Sequence, residues 1–225
     1  MNKHIFAPFD HEIDSLKKNI LMMGEEVTQQ FLKALDSLQT KNTIQIEQVV
    51  AYDKKINRDE IYLDNACVEL IVRYSPAAGD LRLVTAMMRT IGDLERVGDE
   101  AKKIAKLARK FAASEQENPP GVKELRYHSD IVLKMLHQAL DAFARLDPTE
   151  VQNIFDTDET IDTYFKQLKK TTVSTIAAAS APSSIELALD LLFMAKSIER
   201  IGDHATNIAE NVIFVIEGHE FKTTG

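Results

Sequence analysis

The sequence has a single cysteine, no tryptophan, and only 8 glycines and 6 prolines among its 225 residues. With one cysteine no intrachain disulfide can form, which excludes a small disulfide-stapled scaffold. Cys67 is expected to fill an apolar slot on a helix, the alternative being a reactive thiol. Few turn-formers beside many Ala, Leu, Glu, Lys and Ile favour helix throughout. Positive charge is also short: Lys and Arg number 27 against 35 Asp and Glu, for a net charge of −8 at pH 7. Nucleic acid is therefore not an expected partner, because binding its phosphates needs a Lys/Arg excess. An acidic chain suits metal cations or a basic partner surface. No run reaches the roughly twenty apolar residues that would cross a bilayer. The opening MNKHIFAPFD has no apolar stretch of the signal-peptide kind. A cytoplasmic location without direct membrane insertion is expected.

What the sequence does contain is a duplication. Leu83, Met87, Leu94, Val97, Ala101, Ile104, Ala108 and Phe111 are answered in register by Leu187, Leu191, Ile198, Ile201, Ala205, Ile208, Val212 and Val215. Steps of three and four mark one face of a long amphipathic helix. Inside it, Glu95-Arg-Val-Gly-Asp99 recurs as Glu199-Arg-Ile-Gly-Asp203. Looser helical stripes precede each copy. Breaks fall at matching places: Thr40–Thr43 and Asp147-Pro148 after each first helix, Ser75-Pro76 and Ala181-Pro182 before each third, since a residue preceding proline resists the helical conformation. The expected fold is all-α: two tandem, internally duplicated three-helix bundles of six long antiparallel helices. The repeats span residues 5–114 and 122–217, joined by a polar Pro/Gly linker over 115–121. Each helix should run about 25–35 residues, or roughly 40–50 Å at 1.5 Å per residue.

Glu95 and Asp99 stand four apart, as do Glu199 and Asp203, so each pair projects from one side of its helix at a small electrostatic cost. Turning the chain near residues 75–78 brings Asp53 level with Asp99 and Asn57 level with Glu95. A turn near 180–183 likewise brings Asp158 level with Asp203 and Asp162 level with Glu199. Two oxygen-rich quartets result, predicted to lie in solvent-reached grooves away from the core. Thr206, Asn207 and Glu210 extend the second, whereas Lys102, Lys103 and Lys106 occupy the matching positions of the first. Carboxylates without His or Cys suit oxygen-preferring or octahedral metals, Mg²⁺ or Mn²⁺ before Fe or Zn²⁺. The alternative is a pair of solvated helix faces salt-bridged to Arg96, Arg200 and the lysines. Gly98 and Gly202, each costly inside a helix, suggest a close approach by another helix or by a metal cluster.

No phosphate-binding glycine loop, nucleophile elbow or HExxH string is present, and no glutamate is followed by histidine three residues on. An enzymatic role is not expected.

The two signatures, together with Pro76-Ala-Ala-Gly-Asp80-Leu-Arg82 at the head of the third helix, resemble those of the PhoU family, and the likeness runs the length of the chain. Lys103 departs from it, standing where the second copy has Asn207. The resemblance implies a cytoplasmic negative regulator of the phosphate-starvation response and phosphate uptake. Such a protein would be an adaptor between the ATPase subunit of a phosphate ABC transporter and a sensor histidine kinase. It also implies metal at the acidic signatures and frequent homodimers. An accessory protein of a simple phosphate permease and a metal-free helical adaptor are the alternatives.

Overall fold

The computed structural model describes residues 7–113, 121–179 and 181–219. Apart from Gly121, the expected linker 115–121 lies outside them. Six helices follow one another: α1 Ala7–Thr40, α2 Thr43–Tyr74, α3 Ala78–Ala113, α4 Val122–Arg145, α5 Val151–Ala178 and α6 Pro182–Glu217. No strand occurs among the described residues.

Local chemistry accounts for their ends. Asn42 caps α2, its side-chain oxygen accepting from the backbone of Ile44 at 3.1 Å and Gln45 at 3.2 Å. α2 stops at Ser75, which turns left-handed (φ 45°) ahead of Pro76. Between α4 and α5, Leu146 is left-handed (φ 51°) and the Asp147 carboxylate accepts from Thr149 N at 3.0 Å. Pro182 opens α6, where its missing N–H removes no helical bond, and Gly218 closes it at φ 80°.

Helices α1, α2 and α3 pack as one bundle, and α4, α5 and α6 as a second. Leu94, Val97, Ile198 and Ile201 are buried in these cores, as is Cys67, whose thiol burial pushes up to about 12. Such a thiol is inert at neutral pH.

The halves do not merely follow one another, as tandem repeats would. They lie side by side over one continuous apolar core, with α3 along α6 and α1 touching α4. The contact of α1 with α4 is close enough that a Cβ at Gly24 would sit 2.7 Å from Leu140 Cδ2. The α3–α6 seam is antiparallel and largely polar. Lys110 meets Asp190 at 2.9 Å, Arg200 meets Glu100 at 3.2 Å, and Asn211 meets Thr90 at 3.4 Å. Asp93 Oδ1 takes both His204 Nδ1, at 3.0 Å, and Asn207 Nδ2, at 2.9 Å. The seam has a local two-fold character: Asp93 with His204 on one side matches Ser197 beside Glu100 on the other. The axis passes at the level of Gly98 and Gly202.

Candidate functional site

In the second half, antiparallel packing of α5 on α6 assembles the acidic residues. One carboxylate oxygen from each of Asp162, Glu199 and Asp203 lies within 4.8 Å of the other two. Asp158, one turn before Asp162, faces the same group. Burial, followed by the charges of Asp203, Asp162 and Glu199, pushes its carboxyl up to about 7, against a small lowering by the Thr206 hydroxyl. Glu199 and Asp203 are also raised, in each case first by burial, with Lys196 opposing and the neighbouring carboxylates adding. Lys196 pairs with Glu199, and Lys166 reaches Asp162 at 3.3 Å from the surface. Among the described residues no ion pair is made to Asp158 or Asp203. Gly202 permits the approach, because a Cβ there would stand 3.3 Å from Asp158 Oδ1.

The quartets are only in part the solvent-reached grooves expected: the Asp162 side chain is 40% exposed and Glu95 lines a groove, but other members are closed off. Glu199 and Asp53 are each only 7% exposed. The cause is the position of α3 and α6, each wedged between two helices of its own half and its counterpart in the other. A helix placed centrally has no wide wet face. The carboxylates sit in seams.

The first half is built from the same positions with a different outcome. The Lys102 ammonium donates to Asp53 Oδ2 at 2.8 Å and to Asp99 Oδ1 at 2.7 Å. Burial would raise Asp99, but Lys102 holds it below the usual carboxylate range. Glu95 is raised by burial and then by Asp99, with Arg96 opposing from 3.5 Å. Asp53 Oδ1 and Asn57 Oδ1 are buried with no hydrogen-bond donor among the described residues. Gly98 also permits a close approach, but of α1 and α2 packing residues and not of a site carboxylate: its Cβ would lie 3.2 Å from Gln30 Oε1 and 3.3 Å from Ile56 Cγ2.

Asn207 and Glu210 were expected to continue the second quartet, and they stand elsewhere. Asn207 is turned to Asp93, and Glu210 lines a groove between α3 and α6 with Glu60, Asp93, Glu95 and Arg96. The groove has a volume of about 500 Å³. Sequence reasoning also missed Glu100, which is buried beneath Lys103 and Arg200. Burial would raise its carboxyl; Lys103, Ser197 and Arg200 hold it low. Its signal was a glutamate next to the apolar stripe.

The PhoU domain matches residues 20–108 and 125–212. The chain belongs to the PhoU family. It is 35% identical over 226 residues to the phosphate-specific transport system accessory protein PhoU of Escherichia coli K12, covering 100% of this chain and 92% of that one. The PhoU homolog of Pseudomonas aeruginosa is 36% identical over 225 residues, with the same coverages. The crystal structure of PhoU from Pseudomonas aeruginosa superposes with a TM-score of 0.88 over 94% of this chain and 100% of that chain, at 36% identity. The phosphate transport system regulatory protein PhoU of Streptococcus pneumoniae superposes at 0.86 over 96% and 100%, at 27% identity. The PhoU resemblance read from the paired signatures therefore holds, with both copies inside the matched segments.

Proposed function

We propose that this chain is an accessory protein of a phosphate-specific transport system and a cytoplasmic negative regulator of the phosphate-starvation response. It works as an adaptor between the transporter's ATPase subunit and a sensor histidine kinase, holding the kinase quiet when phosphate is plentiful. The observation that carries the reading is the full-length likeness to accessory proteins of such systems. No described helix is long and apolar enough to cross a membrane, which suits a partner that docks on a transporter from outside the bilayer. In this reading the protein acts through contacts, without turnover, and pairs as a homodimer.

The reading includes metal. Asp158, Asp162, Glu199 and Asp203 form an all-oxygen donor set, and burial together with the neighbouring carboxylates raises Asp158, Glu199 and Asp203, which fits Mg²⁺ or Mn²⁺ before Fe or Zn²⁺. A bound cation would supply the missing positive charge. The residues come one pair from α5 and one from α6, so a shared cation would join the two helices and stiffen their seam.

Deletion of the gene should raise phosphate-regulon expression in phosphate-replete cells, and affinity capture should recover the ATPase subunit and the kinase. Unchanged expression with neither partner recovered would overturn the adaptor reading. Recovery of a lone permease instead would move the chain to the alternative accessory role.

A further inference from the structure

We propose that Lys102 is the resident cation of the first carboxylate cluster, so that the chain takes metal in its second half only. The inference rests on the metal reading of the second half and extends it to the unlike half. The Lys102 ammonium bridges Asp53 on α2 and Asp99 on α3, at 2.8 and 2.7 Å, the place a divalent ion shared by those carboxylates would take. It is no loose surface charge, because the side chain is 21% exposed and makes both bonds at once. A metal entering here would have to break two charge-assisted hydrogen bonds and leave an ammonium in a seam that is mostly shut to water.

The second half lacks this device. Its residue at the matching position is Thr206, neutral and too short to span two carboxylates. Lys196 pairs there with Glu199 alone, from the turn before it. Lys103 cannot stand in for Lys102, since it is held by Glu100 at 2.8 Å. Two buried oxygens beside the bridge, Asp53 Oδ1 and Asn57 Oδ1, have no donor among the described residues. With the ammonium gone, the Asp53 and Asp99 carboxylates lose their shared partner. Among the described residues only Asp162, Glu199 and Asp203 already converge within 4.8 Å, so the first set, with Glu95, would have to draw together around an ion. Lys102 thus leaves the first cluster neutralised from within, whereas among the described residues the second has no cation bridging its two helices.

The test compares full-length wild type with Lys102→Thr, each stripped with chelator, dialysed against Mn²⁺ and assayed for bound metal and thermal stability. Each is also made with E95Q/D99N and with E199Q/D203N. Wild type should keep its metal in E95Q/D99N and lose it in E199Q/D203N. Lys102→Thr should bind up to about twice the wild-type amount, melt higher with Mn²⁺ than without, and lose the added metal on E95Q/D99N. If Lys102→Thr does not fold, Lys102→Gln, which keeps most of the side-chain volume, takes its place. Equal loss from the two carboxylate variants of wild type, or no gain on removing the lysine, would overturn the proposal. Metal bound by Lys102→Thr but not by wild type would instead sink the second-half reading and leave the Lys102 assignment standing. No metal in any form would sink both.

Discussion

Arg200 of α6 reaches across the chain to donate to Glu100 of α3 at 3.2 Å, and that carboxylate is 6% exposed at its side chain. The partners are unequal. Arg200 and Lys103 are about half exposed and can fall back on water, whereas Glu100 cannot. Glu100→Ala should lower stability by about 1–3 kcal/mol, by removing an acceptor shared between both halves. Arg200→Ala should cost under about 1 kcal/mol, because Lys103 still covers the carboxylate. Urea unfolding of both variants gives the comparison, and the reverse order would contradict this account of the seam.

Scaffold and site should separate cleanly. Leu94 and Ile198 are 0% and 1% exposed, and truncation to Ala should cost about 2–5 kcal/mol through lost burial and a cavity. Glu199→Gln and Asp203→Asn instead relieve repulsion, so the metal-free variants should melt at or above wild type. Added Mn²⁺ should reverse that order, because a ligand bound only by the folded state raises its stability. Carboxylate variants that unfold in chelator would mean the four acids are structural anchors.

The pH dependence follows from Asp158. Its carboxyl, raised to about 7 in the fold, binds a proton that the unfolded chain has released above its ordinary value near 3.8. Between those limits the native state carries more protons, so the metal-free protein should lose stability as pH rises from about 4 to 7. Metal uptake runs the other way. It needs the carboxylate form, so Mn²⁺ binding should weaken below about pH 7 and release protons on loading. Calorimetry in buffers of different ionisation enthalpy reads that release, and proton-neutral binding at pH 6 would contradict the shared-charge picture.

Gly202 offers a finer probe. In an open helix Gly→Ala would add about 1 kcal/mol of stability. Here the new Cβ would stand 3.3 Å from Asp158 Oδ1 and press on the carboxylate. Gly202→Ala should leave the metal-free melt nearly unchanged while lowering Mn²⁺ affinity severalfold, measured by titration. Unaltered affinity would show that Asp158 is free to move aside.

Much of the fold was legible because the helical signals are local. The three-and-four spacing from Leu83 to Phe111 and from Leu187 to Val215 marks the buried faces, and Pro76, Pro148 and Pro182 mark the interruptions. Antiparallel counting from the turns also brings Asp158 and Asp162 towards Asp203 and Glu199, because neighbours joined by a short loop leave little freedom of register. The pairing of α3 with α6 was hidden. Its contacts are polar, as in Asp93 with His204 and Asn207, and a polar helix face reads as solvent-facing when each repeat is taken alone. Hence the exposure expected of the acidic clusters was too high at Asp53 and Glu199, and Asn207 was not paired with Asp93. The bridge made by Lys102 had a sequence signal, a lysine three residues after Asp99, but nothing in the sequence distinguishes an ammonium turned inward from one left in water.

The seam between α3 and α6 carries a consequence for shorter chains. Each facing pair joins one repeat to the other in antiparallel order, so a second copy of the first repeat laid α3 against α3 would keep only part of the seam. Arg96 would meet Glu100 and Asp93 would meet Lys103, each twice, but Glu100 would also stand where His204 now meets Asp93. A half-length subunit paired with its own copy would set acid against acid there, twice over by symmetry. Fusing two unlike repeats in one chain lets a histidine take the place that symmetry would give to a second carboxylate.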